Sequence, residues 1–483
     1  MVAPMTSERR IPGDPRDPRR WWGVGEVVRL AVPGVINATS MTLMQFVDGW
    51  MVSKVGPDRL AAQMVGGMTA FVSVTFFMGV LACVNTFASQ SLGAGRPERS
   101  AAYGWQGVWL AWMAGAALAG LIPLAPAVFG WYGHAPDVMA QEITYFQIVV
   151  AGAMLSLTGR AMGSFFLGVH RPVVPLVAGL AGNLVNVAMN YLLIFGKFGF
   201  PRLELKGAAI GTVIGFAVEA AIGLGIFLVG PMARQFKTRA ACRFDWEAFR
   251  GLLRIGSPAG ATFLTDILMW TLFVALVVGR LEHGAVQLAA TAILWRYWHL
   301  AFMPAIGVGA ATTALVGRYC GAGRTDLAWR RAHVALVLVE SYMVTAGILL
   351  WTFRHPLVGY FNSSGDPAVQ EAATQLFAVI LVVQAFDALS VTFMGALRGA
   401  GDTFWPGLVQ VALAWGAGFG GAKLIAVLFP GWGALGVWGA AAAYIMALGL
   451  AMWVRFLRGR WRRAFLLAPT MPLPEESPGI PPL

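Results

Sequence analysis

About twelve apolar runs of roughly 20 residues, separated by short charged or turn-forming stretches, set the narrowest limit on what this chain can become. They centre near Met41, Val74, Ala114, Leu155, Leu184, Ala217, Leu268, Met303, Gly347, Ile380, Gly416 and Tyr444. Twenty residues of helix cross a hydrocarbon core, whereas barrel strands would alternate polarity at every second residue over about ten. The fold class is therefore expected to be all-α, a polytopic membrane protein of about twelve transmembrane helices. With 58% hydrophobic and only 12% charged residues, and a mean hydropathy of +0.67, the chain lacks the charge to coat a soluble globule. The opening MVAPMTSERRIPGDPRDPRRWW is polar and rich in Pro and Arg, so it reads as a tail rather than a secretory leader. Cys83, Cys242 and Cys320 lie far apart and form neither a disulfide framework nor a metal-binding spacing.

Charge sets the expected orientation. Lysines and arginines crowd the tails and the even-to-odd loops, in the clusters Arg9 to Arg20, Arg96 and Arg99, Arg234 to Arg254, Arg318 to Arg331 and Arg455 to Arg463. The opposite loops hold only Lys54, Arg59, Lys197, Arg202, Lys206, Arg280 and Arg354. By the positive-inside rule both termini are expected to be cytoplasmic, in an inner membrane. The same distribution accounts for the net charge of +12, since basic loop ends suit orientation and anionic headgroups. No basic face interleaved with aromatics points to nucleic acid.

The chain also repeats itself. SQSLGAGRPERSA after the second run has its counterpart in VGRYCGAGRTDLAWRRA after the eighth, and FFLGVHRPVVP after the fourth has one in ALRGAGDTFWP after the tenth. Gly168 and Gly399 precede Pro175 and Pro406 by the same spacing, KGAAIGT matches WGAAAAY, and Pro33 matches Pro258. The expected organisation is a cytoplasmic tail at 1–25, a six-helix lobe at 26–230, a basic linker at 231–254, a second six-helix lobe at 255–458 and a disordered tail at 459–483. Parallel repeats about an axis along the membrane normal favour a transporter over a channel, a receptor or a membrane enzyme. Enzyme readings also lack parts, since no GxSxG elbow, HExxH, Walker loop or Rossmann fingerprint stands in a suitable context. LGAGRPE follows a membrane span and carries no Gly-Lys-Ser/Thr.

With LAVPGVINATSMTLMQFVDGWMV, the two GAGR turns, AFMPAIGVGAATTALVGRYCGAGR and GALRGAGDTFWP in order, the chain resembles the multidrug and toxic compound extrusion (MATE) family over about residues 25 to 458. The resemblance implies a V-shaped twelve-helix antiporter. It implies export of organic cations or amphipathic compounds in exchange for protons or sodium, without a cofactor, by a monomer whose partners are membrane lipids and its substrate. The alternatives are a flippase for lipid-linked precursors, which would favour a basic cavity, and a channel or receptor.

Carboxylates inside apolar helices cost on the order of 3 kcal/mol and mark function by default. Asp387 shares a helix face with Gln384 and Ser390, and Asp266 with Thr262 and Trp270. By resemblance Asp266 and Asp387 form the cation-coupling pair of the C-terminal lobe, for protons or sodium. Asp48 shares its face with Asn37, Met41, Met44 and Gln45, with a capping role near its helix end as the rival reading; Asn183, Asn186 and Asn190 lie along one face of the fifth run. By resemblance the asparagines face Asp48, and Asp48, Asn186 and Asn190 serve the N-lobe proton or substrate site. Some relatives carry an aspartate where this chain has Asn190, so proton coupling there rests on Asp48. Val383 stands where some sodium-coupled relatives have a tyrosine. Arg296 is expected to pair with a carboxylate or a helix end. Arg160, Glu219, Glu340 and Lys423 receive no role, His299 reads as a packing residue, and most methionines and tryptophans read as lipid-facing or interfacial.

Overall fold

The computed structural model describes residues 23–362 and 365–463, so most of the two tails expected above lies outside the described residues. The chain runs through α1 (Val24–Ser53), α2 (Pro57–Gly93), α3 (Pro97–Ala119) and α4, whose pieces Pro136–Ala151 and Ala153–Gly168 meet at a bend of 47°. Then come α5 (Val173–Phe195), α6 (Glu204–Leu228), α7 (Trp246–Arg280), α8 (Gly284–Gly321), α9 (Thr325–Thr352), α10 (Pro367–Ala400), α11 (Phe404–Leu428) and α12 (Pro430–Leu457). Each of the twelve expected runs lies within one of these. Among the described residues, ten helices are long and apolar enough to cross a membrane, and bent α4 makes eleven. The remaining helix, α3, has 23 residues, but Gln106 and its tryptophans dilute its apolarity. Those polar atoms hold the linker: the Trp105 and Trp109 indoles donate to the carbonyls of Thr238 (2.7 Å) and Cys242 (3.3 Å), and the Gln106 amide to that of Arg243 (3.1 Å).

The repeat is physical as well as textual. Gly168 lets α4 close on α2, since a Cβ there would stand 2.7 Å from the Asn85 carbonyl. Gly399 does the same for α10 on α8, where a Cβ would stand 2.5 Å from the Thr313 carbonyl. Between the halves α1 packs on α8, α7 on α2 and α2 on α8, a pattern that maps onto itself when the halves are exchanged. Short helices follow at matching places, Ala125–Gly130 after α3 and Arg354–Phe361 after α9.

Among the described residues, the hydrogen bonds that join the halves lie toward the end where α1 begins and α12 finishes. Asn85 donates to the Ala310 carbonyl (3.1 Å), Thr86 to that of Arg398 (3.0 Å) and Gln90 to that of Gly399 (2.8 Å). Glu26 accepts from Tyr319 (2.8 Å) and from Arg331 (2.8 Å). His170, in the turn between α4 and α5, bridges to α8. Arg318 can only donate, so Nδ1 of His170 accepts from it (3.2 Å), and Nε2 carries the proton given to the Ala314 carbonyl (3.2 Å).

This contact demands a neutral imidazole, and burial with the Arg318 guanidinium pushes His170 from 6.5 down to about 4. A separated, hydrated His170 would take up a proton at pH values where the latched one resists it. The latch is therefore at full strength above about pH 6.5 and weakens as pH falls toward about 4, by at most on the order of 3 kcal/mol. Spin labels placed on the α2–α3 and α8–α9 turns should move apart over that window. In His170→Gln the pH dependence should vanish, and an unchanged titration in that variant would remove His170 from the latch.

Candidate functional site

The C-terminal half brings its two acids to one aromatic cluster. Asp387, buried in α10, accepts from the Trp298 indole of α8 through Oδ2 (3.0 Å), and Ser390 donates to the Asp387 backbone carbonyl (3.0 Å). Asp266 of α7 accepts through Oδ1 from Tyr444 of α12 (3.3 Å) and Gln410 of α11 (3.4 Å). The donors belong together, because Trp270 packs at 5.2 Å from Trp298, at 6.4 Å from Tyr444 and, stacked, at 5.8 Å from Trp438. Asp266 and Asp387 lie within range of each other's charge. Gly418 makes room for Tyr444, whose ring would touch an added Cβ at 3.4 Å. It stands in a π-helical turn, Ala414–Gly420, where three glycines weaken the α-helical register.

Gln384 is fully buried one turn before Asp387, and neither its Oε1 nor its Nε2 has a partner among the described residues. A buried amide left unmatched costs about 1–3 kcal/mol, so this part of the site is underfilled with respect to donors and acceptors. Thr262 bonds instead to the Pro258 carbonyl of its own helix (2.6 Å). Arg296 is exposed on α8 with its guanidinium over the ring of Phe361 (4.8 Å), the last residue of the short helix Arg354–Phe361; the contact is a cation–π one, and no ion pair of Arg296 occurs among the described residues. Its register on α8 turns it away from Trp298 and the acids. His299 is exposed.

The N-terminal half holds a separate polar seam. Asp48 is buried and accepts from Asn190 (2.7 Å); Asn190 reaches Asn186 (3.3 Å), and Asn186 donates to Thr212 of α6 (3.3 Å). Asp48 therefore sits inside α1 bonded across to α5, not capping its helix end. Asn183 turns elsewhere, donating to Ser40 (2.9 Å). Beside the seam lies a cavity of about 30 Å³, lined by Asn37, Met41, Met44, Asn183, Asn186, Thr212, Phe216 and Glu219, with glycines between.

Trp298, Tyr444, Gln410 and Thr212 escaped sequence reasoning. The only signal was indirect: WRYWHLAFMP sets Trp295 and Trp298 three residues apart, on one helix face. Trp270, Trp295, Trp298 and Trp438 pack together in the core of the second half and not toward lipid. The cysteines are free, and no cluster of metal-ligating side chains occurs among the described residues.

The MatE family model matches residues 33–192 and again 258–418, one match in each half. The chain is 31% identical over 450 residues to a probable multidrug resistance protein NorM of Pseudomonas aeruginosa, covering 91% of this chain and 90% of that protein. It is 32% identical to a protein so described from Burkholderia pseudomallei, covering 90% and 92%. Its fold matches an outward-facing multidrug resistance MATE family transporter with a TM-score of 0.82 at 19% identity, covering 91% of this chain and 96% of that one. Two matched halves, relatives along nearly the whole length and twelve helices in a pseudo-symmetric pair of six leave one conclusion: the chain belongs to the MatE family, a family of membrane transporters and not of enzymes.

Proposed function

We propose that this transporter is a secondary active antiporter that exports organic cations or other amphipathic compounds across the cytoplasmic membrane in exchange for protons or sodium. In this reading both termini are cytoplasmic, a single copy is the working unit, and Asp266 and Asp387 form the coupling site. The observation that carries it is the company these acids keep. Asp387 is held by an indole, Asp266 by a phenol and an amide, and Asp48 by an amide, all neutral donors. By contrast, two other carboxylates, Glu26 and Asp402, are paired with the guanidinium groups of Arg331 and Arg455. A buried anion without a counter-charge is costly, so each of the three is satisfied by taking up a proton or a small cation. Such a group can load on one side of the membrane and release on the other. The relatives described as multidrug resistance proteins support the substrate class.

The energetics are sufficient. One charge crossing 100 mV supplies about 2.3 kcal/mol and half a pH unit about 0.7, together worth roughly a 150-fold gradient. Exchange of one proton for one monovalent cation cancels the voltage part, so more than one titrating acid is needed to exploit it.

The test is reconstitution into liposomes with an imposed proton or sodium gradient and ethidium as the fluorescent cargo. Ethidium flux that ignores both gradients would reject antiport. Asp48→Asn should reduce transport and flatten its dependence between about pH 6 and 8, because Asn186 and Asn190 cannot titrate in its place. A normally expressed variant with wild-type transport across that range would reduce Asp48 to a structural hydrogen-bond acceptor.

A further inference from the structure

Arg160 of α4 and Arg398 of α10 belong to opposite halves and stand inside membrane-spanning helices. Both side chains are half-buried, yet both are enclosed by protein, so the surface they keep faces space between helices and not lipid. A guanidinium carries five N–H donors and a permanent charge, and inside a protein it is expected beside a carboxylate. Neither finds one. Among the described residues neither side chain makes an ion pair or a hydrogen bond, and Nε of Arg160 is buried without a partner. The guanidinium of Arg398 stands 5.9 Å from the centre of the Phe263 ring, at the outer limit of a cation–π contact.

The level of the two arginines is set by α2. A Cβ added at Gly107 of α3 would meet both Val84 of α2, at 2.9 Å, and Ala161 of α4, at 3.3 Å. One residue before Val84, Cys83 lies within the field of Arg398, whose backbone carbonyl accepts from Thr86 of α2 (3.0 Å). Arg160, next to Ala161, is near enough to Arg398 for the two charges to act on each other. Glu219 of α6, whose Cδ would lie 3.3 Å from a Cβ on Gly159, is an acid within range of Arg160, but no ion pair joins them among the described residues. Two permanent cations and one acid leave at least one positive charge unmatched. Unmatched donors and charge inside a protein call for an anionic ligand.

We infer that Arg160 and Arg398 bind a small monovalent anion of chloride's size between them, and that this anion holds the two halves together at their closed end. Like charges from opposite halves repel where the halves meet, and an anion between them turns that repulsion into a bridge. Separation of the halves takes one guanidinium away and dismantles the site. The anion therefore binds the closed arrangement more tightly and shifts the equilibrium toward it. Arg398 also precedes Gly399, whose carbonyl accepts from Gln90 across the joint (2.8 Å), so the site lies against the closed end and suits an ion rather than the body of a cargo molecule. Which ion drives transport does not enter the argument.

The test uses the purified full chain in detergent, with chloride as the probe against gluconate, too bulky for the site, at equal ionic strength. Equilibrium dialysis with radiolabelled chloride should find about one bound ion per chain, and the wild type should melt at a higher temperature in chloride than in gluconate. Spin labels on the α2–α3 and α8–α9 turns should lie closer together in chloride. Arg160→Gln and Arg398→Gln should each weaken chloride binding at least about tenfold and abolish the difference in melting temperature between the two salts. Arg398→Lys keeps the charge but loses the planar fork, so it decides if a Gln variant does not fold: its chloride affinity should fall at least about threefold. A wild type that retains no chloride, or melts alike in both salts, overturns the inference. So does wild-type chloride affinity in the folded Gln variants or in Arg398→Lys.

Discussion

Replacing Asp387 with Asn is expected to reduce gradient-driven ethidium uptake by at least about tenfold while changing ethidium affinity by less than about threefold, the pattern of lost coupling rather than lost binding. The substitution is nearly isosteric. The new amide oxygen can still accept the Trp298 indole proton, and Ser390 bonds only to the backbone of this residue, so the local fold is retained. What disappears is a group able to carry a cation. One charge fewer per cycle forfeits about 2.3 kcal/mol per 100 mV, on the order of 50-fold in attainable gradient. Asp266→Asn should act in the same way, since its amide oxygen can accept from Tyr444 and Gln410. The double variant should be no worse than the worse single one, because two acids served by one aromatic cluster work as a unit. Cation stoichiometry and transport that survive in both single variants would place coupling elsewhere and leave Asp387 as a buried polar contact.

The second large effect is expected where the halves touch backbone to backbone. A Cβ at Gly93 would lie 1.9 Å from the Arg318 carbonyl oxygen, and one at Gly321 would lie 2.0 Å from that of Gln90. Ala for Gly inside a helix ordinarily gains about 1 kcal/mol. Here the methyl group meets peptide backbone of the opposite half, which cannot rotate away as a side chain would. Relief requires the two halves to separate at this end, so Gly93→Ala and Gly321→Ala should each cost about 3 kcal/mol or more of the closed arrangement. Melting followed by tryptophan fluorescence should show a drop of several degrees, and buried Cys83 and Cys320 should become open to maleimide. Gly225→Ala on α6, with nothing within 4 Å of the new methyl, is the control and should melt at or above the wild type. Wild-type melting and labelling in Gly93→Ala would show that the closed contact is softer than its geometry.

Much of this protein was legible from composition along the chain, because the bilayer imposes a length and a polarity that each helix satisfies by itself. That is why α3, whose Trp105, Trp109 and Gln106 are turned to the linker, is the helix that falls short of the apolarity of a membrane span. The repeated glycines were legible for a related reason: Gly168 and Gly399 answer the same steric demand in each half, so the same residue stands at the same offset. The acids were legible as anomalies, since Asp48, Asp266 and Asp387 are costly wherever their helices are placed.

The choice of partner belongs to the tertiary structure. Sequence periodicity places residues on a helix face but leaves open which neighbour that face meets, because helix rotation and crossing are decided by packing among all twelve. Hence Trp298, Tyr444 and Gln410, from three different helices, converge on two aspartates without any spacing that announces it. Arg296, two positions from Trp298, is turned by its α-helical register away from the acids to Phe361. Local physics along the chain determined the membrane spans, the repeat and the titratable residues; only three-dimensional packing decided which neutral donors, from which helices, hold those acids.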